Sequence, residues 1–581
     1  MRRFRLATLV LAGAGALAGA FGFAVGAWYD GRLTLREPPP VPDVSLPRFR
    51  PLRENHPPGT LVLDPLEARG TMNELVPLDA GGARLPNYAG VFENLVFGQP
   101  RPRRITLLTR GTPSPHGYPL VRVALESPAG DRLFHQDFQV FDERWASYDV
   151  DVPPLAGPVT LRVFFLRGVF EGRGDTLDLR EIAVEDARLA EDPPARADIR
   201  AITDPMIRRH RMGRLVVLAE PGTEVRIRQT GHAFEFGCVL ERRLFQDDDI
   251  RPADRARHDE MFTRLFNSVT VAGFYWSADE KRRGEPDYET ADAMIRWARE
   301  RGLHVRGHPL FWGADIQGRI PDWQKDLERN VLRQVIRRRG RQVASRYAGR
   351  VREWDFNNEM VHHQYYRTRL FDVAWDMSMS IRAGDPEAAL YLNDFNLITL
   401  GALDDYTDLL DELLAKHIPI GGIGVQGRSY GRVYHGHVFE ALDRLGEYGL
   451  PVKISEAGPS IADVDRRAEV LDELLRLYFA HPAVDGITIW GFWGGVMWDE
   501  QAGAMWDENW NSLPTGKVLT NLLENEWRTT WRGTADAEGR VTIPAFFGRY
   551  AVTAHGETRD VELPEDPGKV TADFTRPAAQ Q

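Results

Sequence analysis

Between residues 233 and 528, short apolar runs alternate with longer amphipathic stretches. The apolar runs are FEFGCVL, VTVAGF, LHVRGHPLFW, VREWDFN, ALYLNDF, GGIGVQG, PVKISEA and GITIWGFW. Stretches between them, such as YETADAMIRWARER and ALDDYTDLLDELLAKH, repeat apolar residues at helical spacing. Strands alternating with helices over roughly 300 residues predict an α/β fold, a (β/α)8 TIM barrel. A doubly wound sheet fits less well, because no Gly-rich phosphate turn opens the first helix.

Two flanking regions have a different pattern, with apolar and polar residues alternating at a period of two. Residues 60–190 contain runs such as LVRVALES and VTLRVFFL, separated by Pro and Gly, which predict a β-sandwich. Residues 200–232, with GRLVVLAEPGTEVRIRQTGH, predict a β-hairpin that leads into the barrel at residues 233–528. Residues 530–581 predict a small β-sandwich module and tail. The barrel is therefore expected to carry a β-rich unit on each side.

The number of aromatic residues in the predicted sandwich bears on whether it binds carbohydrate. Residues 60–190 hold one tryptophan, Trp145, and the tyrosines Tyr88, Tyr118 and Tyr148. This is a sparse set for stacking on sugar rings, so both a carbohydrate-binding module and a structural spacer remain open.

The N-terminal part of the sequence has the features of a targeting segment. Residues 1–30 start with MRRFR and continue with an uncharged run at 7–29, long enough for either a membrane anchor or a signal peptide that is removed. The positive flank places the remainder outside the cytoplasm, so we expect an exported, extracellular or periplasmic protein whose membrane contact is limited to this segment. Residues 31–59 are rich in proline and predict an extended linker. The single cysteine, Cys238, excludes an intramolecular disulfide and is expected to be a buried apolar residue.

Composition narrows the class of partner. The net charge of −11 is spread along the chain without a long basic block, which argues against nucleic acid. Tryptophan is concentrated instead: seven of the fifteen lie between Trp490 and Trp531. This density of tryptophan is more than core packing alone needs, and we expect a monomer.

Two glutamates follow strands of the predicted barrel. Glu359 follows VREWDFNN and Glu456 follows PVKIS. Catalytic groups of such barrels lie where the strands end, so both carboxyl groups can face one pocket. Paired carboxyl groups in a tryptophan-rich cleft are what glycoside hydrolysis requires, one as proton donor and one as nucleophile or base. The glutamate that acts as proton donor should have a raised pKa, and the one that acts as nucleophile should stay ionised. Either glutamate alone would more often be a structural ion-pair partner.

Six motifs at the strand ends resemble glycoside hydrolase family 10, the endo-β-1,4-xylanases. They are GHPLFW, WDFNNE, LYLNDFN, GIGVQ, VKISEAG and GITIWGFW, in the family's order and spacing. The resemblance implies a retaining glycosidase with Glu359 as acid/base, Glu456 as nucleophile and Asn358 at the sugar 2-hydroxyl. It implies further sugar-binding residues around the cleavage point, namely His308, Trp312, Gln426 and Trp490.

Several of these residues also have structural interpretations. Asn358 can be a turn former, His308 a hydrogen-bonded barrel residue, and Trp490 and Trp498 can be either core residues or platforms for pyranose rings. The pairs His362–His363 and His435–His437 lack the helical spacing and carboxylate of a persuasive metal site. Neither a metal nor a cofactor is expected, since two carboxyl groups and water suffice.

The chain departs from the family pattern in three places. After the second strand it keeps Asn267, counted here as a substrate-binding candidate, but has Gly273, Phe274 and Tyr275 in place of polar residues, which puts sugar recognition on the glycone side in question. The family's Gln-x-His is Gln-Gly-Arg, with Arg428, and the acid two residues past the nucleophile is Gly458. An arginine at 428 can itself hold Glu456 ionised.

These features together favour a retaining endo-glycosidase acting on β-1,4-xylan or a related β-glycan. A non-catalytic glycan-binding or cell-envelope protein on a decayed barrel is the alternative, sustained by the changes at Arg428 and Gly458. An exo-acting or transglycosylating enzyme is a second alternative.

Overall fold

The barrel predicted from the alternation is present in the structure, a computed structural model. It describes residues 48–575 apart from 51–55, 66–69, 73–75, 79–80, 86–89, 114–117, 128–131, 168–175, 191–197, 316, 400, 430–432, 434, 462, 498–502 and 567. The eight parallel strands are β1 (Glu235–Leu240), β2 (Ser268–Val271), β3 (His304–Gly307), β4 (Glu353–Asn358), β5 (Ala389–Asp394), β6 (Gly422–Val425), β7 (Val452–Pro459) and β8 (Val484–Ile489). Neighbouring strands pair in chain order, and β8 pairs with β1, so the sheet is closed.

Helices connect the strands and cover the outside of the barrel. Their bounds are Ile199–Arg211, Arg243–Gln246, Pro252–Leu265, Trp276–Asp279, Glu289–Glu300, Asp322–Lys325, Arg329–Tyr347, Tyr365–Arg369, Val373–Gly384, Leu403–Ala415, His435–Gly446, Val464–Ala480 and Pro514–Asn521, with a π-helical turn at Leu522–Glu526. The strands are buried on both faces, as parallel strands covered by helices must be. Cys238 in β1 is buried, as predicted. No described helix combines the length and apolarity of a membrane span, and the predicted span at 7–29 lies outside the described residues.

The region before the barrel is antiparallel β-structure. Its strands are Arg48–Arg50, Thr60–Leu63, Gly70–Met72, Val76–Pro77, Ala83–Leu85, Gly90–Thr112, Leu120–Glu126, Arg132–Gln139, Ala146–Arg167, Thr176–Glu185 and Ala187–Leu189. It packs on the barrel's outer helices through buried charges: Glu126 contacts His437 at 2.6 Å, and Arg122 bridges Asp137 and Asp404. Tyr148 is buried, Arg110 and Arg180 stack on Trp145, and Tyr88 lies outside the described residues.

The predicted hairpin at 200–232 is wrong, because its two strands belong to different sheets. Residues 199–211 are helical, Met212–Leu218 pairs with Arg540–Phe546 and Lys569–Asp573, and Glu224–His232 pairs with Thr530–Thr534 and Gly548–Ala554. The remaining strand of the second sheet is Glu557–Leu563.

The strands on either side of the barrel therefore form one small β-sandwich. Its two sheets bury Leu215 and Val217 from the first strand, and Val225 and Ile227 from the second, in a common core. The segment after residue 530 is thus not an independent module, because its strands need partners that precede the barrel.

At the amino end of the barrel, a buried lysine neutralises a cluster of acids. The ammonium of Lys453 lies 2.7 Å from Glu235 and 2.5 Å from Glu353, and His304 contacts the same two carboxylates. The ligand atoms of Glu235, His304 and Glu353 are close enough to hold a metal ion, but Lys453 supplies the compensating charge. Burial opposes ionisation of Glu353, yet the hydrogen bond from His304 and the charge of Lys453 lower its pKa.

Replacing Lys453 should therefore destabilise the barrel. The variant Lys453→Met leaves buried Glu353 and half-buried Glu235 without the ammonium between them and with His304 as their remaining shared partner, and we expect a loss of about 3 kcal/mol in the free energy of unfolding at neutral pH. Because the folded-state pKa of Glu353 is lowered, its stabilising contribution is present at neutral pH and is lost as the pH falls. The deficit of the variant should therefore shrink in acid.

Urea unfolding at several pH values measures this effect. The control is Lys416→Met, which removes exposed ion pairs to Asp372 and Glu412 and should cost under about 1 kcal/mol. Equal losses in the two variants would contradict the assignment.

Candidate active site

The carboxyl ends of the strands bring the two predicted glutamates to one end of the barrel. Glu359 directly follows β4, and Glu456 lies within β7. Both side chains are buried, with 7% and 6% of their surface exposed. The two carboxyl groups are close enough to interact, since the charge of Glu359 is among the causes that raise the pKa of Glu456. The sequence-based prediction of a carboxyl pair at one pocket agrees with this placement.

Glu359 is held by three side chains from three elements. Trp312 donates from Nε1 to Oε2 at 2.8 Å, and Gln426 donates from Nε2 to Oε1 at 2.7 Å. The ring of His363 lies 3.0 Å from Oε2. The residue has a φ of +57°, a left-handed conformation that is unfavourable for a non-glycine residue and is retained where neighbours fix it.

Asn358 presents a free amide donor beside this carboxyl. Its Oδ1 accepts a 2.7 Å hydrogen bond from Asn393, whose own Oδ1 accepts from Ser455. The buried Nδ2 of Asn358 has no partner among the described residues. A buried polar group without a partner is uncommon, so an unpaired N–H pair at this position suits an incoming hydroxyl.

His308 and Trp490 form one wall of the pocket. Asp355 accepts a 2.8 Å hydrogen bond from Nδ1 of His308 and also contacts Arg306, which fixes the orientation of the imidazole. The Trp490 ring packs edge-to-face against His308 at 5.1 Å between centroids. Trp490 is buried, with 8% of its surface exposed.

Arg428 is the partner of Glu456. Its Nε lies 3.5 Å from Oε2 of Glu456, the ion pair that the sequence predicts at this position, although it is a single contact and not a bidentate one. Arg428 stands in register with Gly458 on the neighbouring strand, so no acid lies behind the arginine there.

The pKa order of the two glutamates is opposite to the sequence-based expectation. Burial raises the pKa of Glu359, but the hydrogen bond from His363 and the charge of that ring outweigh it, so the pKa is lowered. Burial raises the pKa of Glu456, and Arg428 and His308 offset this only in part. In the free protein Glu456 therefore keeps its proton to a higher pH than an ordinary glutamate, and Glu359 loses its proton at a lower one.

One of the predicted binding residues lies at the other end of the barrel. Asn267 precedes β2 at the amino end of the barrel, where its side chain bonds to the backbone of His232, Phe234 and Phe236, so its assignment to the substrate site is wrong. The sequence shows that Asn267 adjoins the second strand, but not that it adjoins the amino end of that strand. Trp498 lies outside the described residues.

His363 is the contact that sequence analysis missed. It stands four residues after Glu359, and its backbone N–H donates to the Glu359 carbonyl at 2.7 Å, so one turn of chain carries the ring back to the carboxyl. The spacing of four residues from Glu359 to His363 was the signal available in the sequence, where the pair His362–His363 is interpreted only as a possible metal site. The adjacent His362 pairs instead with Asp394 at 2.5 Å.

Comparison with known proteins identifies relatives of the barrel. The family model described as glycosyl hydrolase family 10 matches residues 228–521, half of the chain. Anti-sigma-I factor RsgI6 of Acetivibrio thermocellus is 31% identical over 325 residues, covering 56% of this chain and 41% of that protein. Endo-1,4-beta-xylanase 1 of Arabidopsis thaliana is 29% identical over 340 residues, covering 57% of this chain and 34% of that protein. The chain thus spans less than half the length of these two relatives.

Among solved structures, the chain is similar to xylanase 10B of Thermotoga petrophila RKU-1. It is 22% identical with a TM-score of 0.46, and the match covers 51% of this chain and 95% of that one. The match to the family model carries the assignment, and its range coincides with the eight strands and the two glutamates. The chain belongs to glycosyl hydrolase family 10.

Proposed function

We propose that the protein is a retaining endo-glycosidase that hydrolyses β-1,4-xylosidic bonds in xylan or a related β-glycan. The observation that carries the proposal is the pair Glu359 and Glu456, both buried at the carboxyl end of the barrel and each held by its own neighbours. Family membership and the xylanases among the relatives support the choice of substrate.

The first step transfers the sugar to the protein. Glu456 attacks the anomeric carbon while Glu359 gives its proton to the departing glycosidic oxygen, so one C–O bond forms as the other breaks. The free amide of Asn358 donates to the sugar 2-hydroxyl, an interaction that strengthens as the ring becomes oxocarbenium-like. For this step Glu359 must carry its proton and Glu456 must be ionised.

The second step releases the sugar. Glu359, now ionised, takes a proton from water as the water attacks the anomeric carbon, and Glu456 leaves as a carboxylate. The contacts from Trp312 and Gln426 hold both oxygens of Glu359 for this return of the proton.

The test is release of reducing ends from xylan, mixed-linkage β-glucan and decorated xylans by the full chain. Oligosaccharides cut from the interior of xylan are expected. Binding of xylan without release would favour the non-catalytic alternative, and monomers released from chain ends would favour an exo-acting enzyme. Truncation at residue 530 is unsuitable, since the strands after it pair with those at 212–232.

His363 should set the upper pH limit of this reaction. The His363 ring lowers the pKa of Glu359, so Glu359 loses its proton at a lower pH than it would without the ring. In His363→Ala the pKa of Glu359 rises, so the basic limb of the kcat/KM profile moves to higher pH. Rates on xylo-oligosaccharides across the pH range measure this, with exposed His555→Asn as control. An unchanged basic limb would contradict the role given to His363.

Export and the flanking domains are part of the same proposal. The uncharged run at 7–29 supports export, to the extracellular or periplasmic side. The predicted linker at 31–59 is too long, because Arg48–Arg50 pairs with the long strand Ala146–Arg167, so we propose the linker for the Pro-rich residues before Arg48. For the β-rich region at 60–190 we propose a supporting role, because its buried ion pairs with barrel helices fasten it to the barrel and arginines cover Trp145.

A further inference from the structure

Three polar side chains near the catalytic pair have no polar partner. Glu241 directly follows β1, Tyr275 follows β2, and Arg319 follows β3, all at the carboxyl end of the barrel. Within the described part of the chain, none of these side chains makes a hydrogen bond or an ion pair. All three residues are half-buried, and polar groups withdrawn from water are normally paired, so three unpaired ones after adjacent strands indicate a place for a ligand.

The guanidinium of Arg319 contacts two aromatic rings and pairs with no described carboxylate. Its guanidinium lies 4.5 Å from the centre of the Tyr275 ring and 4.8 Å from that of Trp312. Its Nε is buried and has no acceptor among the described residues. Stacking fixes the plane of the guanidinium without using its N–H groups, which stay available to a ligand. Since Trp312 also donates to Glu359, this guanidinium is one side chain away from the acid/base.

Glu241 is an acceptor near the nucleophile. The charges of His308, Arg428 and Glu456 act on its carboxyl, and burial raises its pKa to about 7. The two arginines that follow it do not neutralise it. Arg242 pairs with Asp279 at 2.9 Å and Arg243 with Asp247 at 3.3 Å.

We propose that Glu241 and Arg319, together with the hydroxyl of Tyr275, form a binding subsite for an uncharged sugar residue on the glycone side of the scissile bond. This inference rests on the proposed function. The carboxylate accepts hydrogen bonds from sugar hydroxyls, and the guanidinium donates to sugar oxygens. An uncharged sugar is favoured over a uronic acid, because a carboxylate there would face both Glu241 and Glu456. The subsite supplies polar contacts that Gly273 and Phe274 after β2 do not.

The test is isothermal titration of the full chain with xylotriose and cellotriose. In Glu241→Ala and Arg319→Met the Kd for the bound trisaccharide should rise about 10-fold to 100-fold, as loss of a hydrogen bond to a charged group predicts. The matched controls are Glu285→Ala and Arg282→Met, an exposed carboxylate and guanidinium 3.7 Å apart on the loop after β2. Their Kd values should stay within about 2-fold of the unmodified protein.

Further variants separate binding from folding. Glu241→Gln and Arg319→Lys keep size and much of the polarity, and should weaken binding in chains whose Tm is unchanged. Values of Kd within 2-fold of the unmodified protein in all four variants would overturn the inference, as would the absence of trisaccharide binding by the unmodified protein. Binding that depends on Glu241 and Arg319 without release of reducing ends would leave the inference standing and reject the proposed hydrolysis.

Discussion

Glu456→Ala should lower kcat on xylan at least about 10,000-fold, because no other described residue can take the place of an attacking carboxylate. The side chain is buried at the end of a rigid strand, so its removal leaves a small cavity without moving β7. Asn358, His308 and Trp490, which we propose as sugar-binding residues, are retained, and oligosaccharide binding should persist. Initial rates on xylan and titration with xylotriose measure the two properties separately.

Azide provides the control for this variant. The anion fits the space that the carboxylate leaves and can attack from the same side, so activity on an activated aryl xylobioside should return with formation of an α-glycosyl azide. Glu285→Ala, which removes an exposed carboxyl, should retain full activity. Undiminished hydrolysis by Glu456→Ala would contradict its assignment as nucleophile.

Glu359→Ala has the second largest expected effect, a loss of about 100-fold to 10,000-fold in kcat/KM on xylan, the usual contribution of general acid–base catalysis. The natural leaving group is a sugar hydroxyl, which departs slowly unless it is protonated. A dinitrophenyl glycoside needs no proton, so attack by Glu456 should continue at nearly the unmodified rate. The glycosyl–protein intermediate should then accumulate, since no base activates water.

Mass spectrometry of the protein during turnover detects this intermediate. Azide should accelerate its breakdown and give a β-glycosyl azide, the opposite anomer to that from Glu456→Ala. Equal losses on xylan and on the dinitrophenyl substrate would contradict the role of Glu359 as acid/base.

The sequence was sufficient to predict the barrel and the position of two glutamates at the carboxyl ends of its strands. Apolar strands and amphipathic helices have different periods, and each glutamate adjoins a strand whose end could be identified. The small sandwich was mispredicted because strands that precede the barrel in the sequence pair with strands that follow it, such as Met212–Leu218 with Arg540–Phe546. Pairing between such distant segments leaves no local pattern in the sequence. Asn267 was misplaced because it adjoins the other end of its strand.

The pKa shifts of the glutamates and the unpaired side chains near them could not be predicted without the three-dimensional structure. The pKa order of Glu359 and Glu456 depends on His363 and Arg428, whose distances to the carboxyls follow from turns and strand register. Glu241, Tyr275 and Arg319 come from three separate loops, and their lack of partners is visible only once the neighbouring acids and arginines are placed.

The configuration of the first product formed from an aryl β-xylobioside, followed by proton NMR before mutarotation, tests the two-step account most directly. Attack by Glu456 followed by attack of water inverts the anomeric carbon twice, so the β-anomer should appear first. Initial appearance of the α-anomer would mean a single displacement by water and would contradict a nucleophilic Glu456.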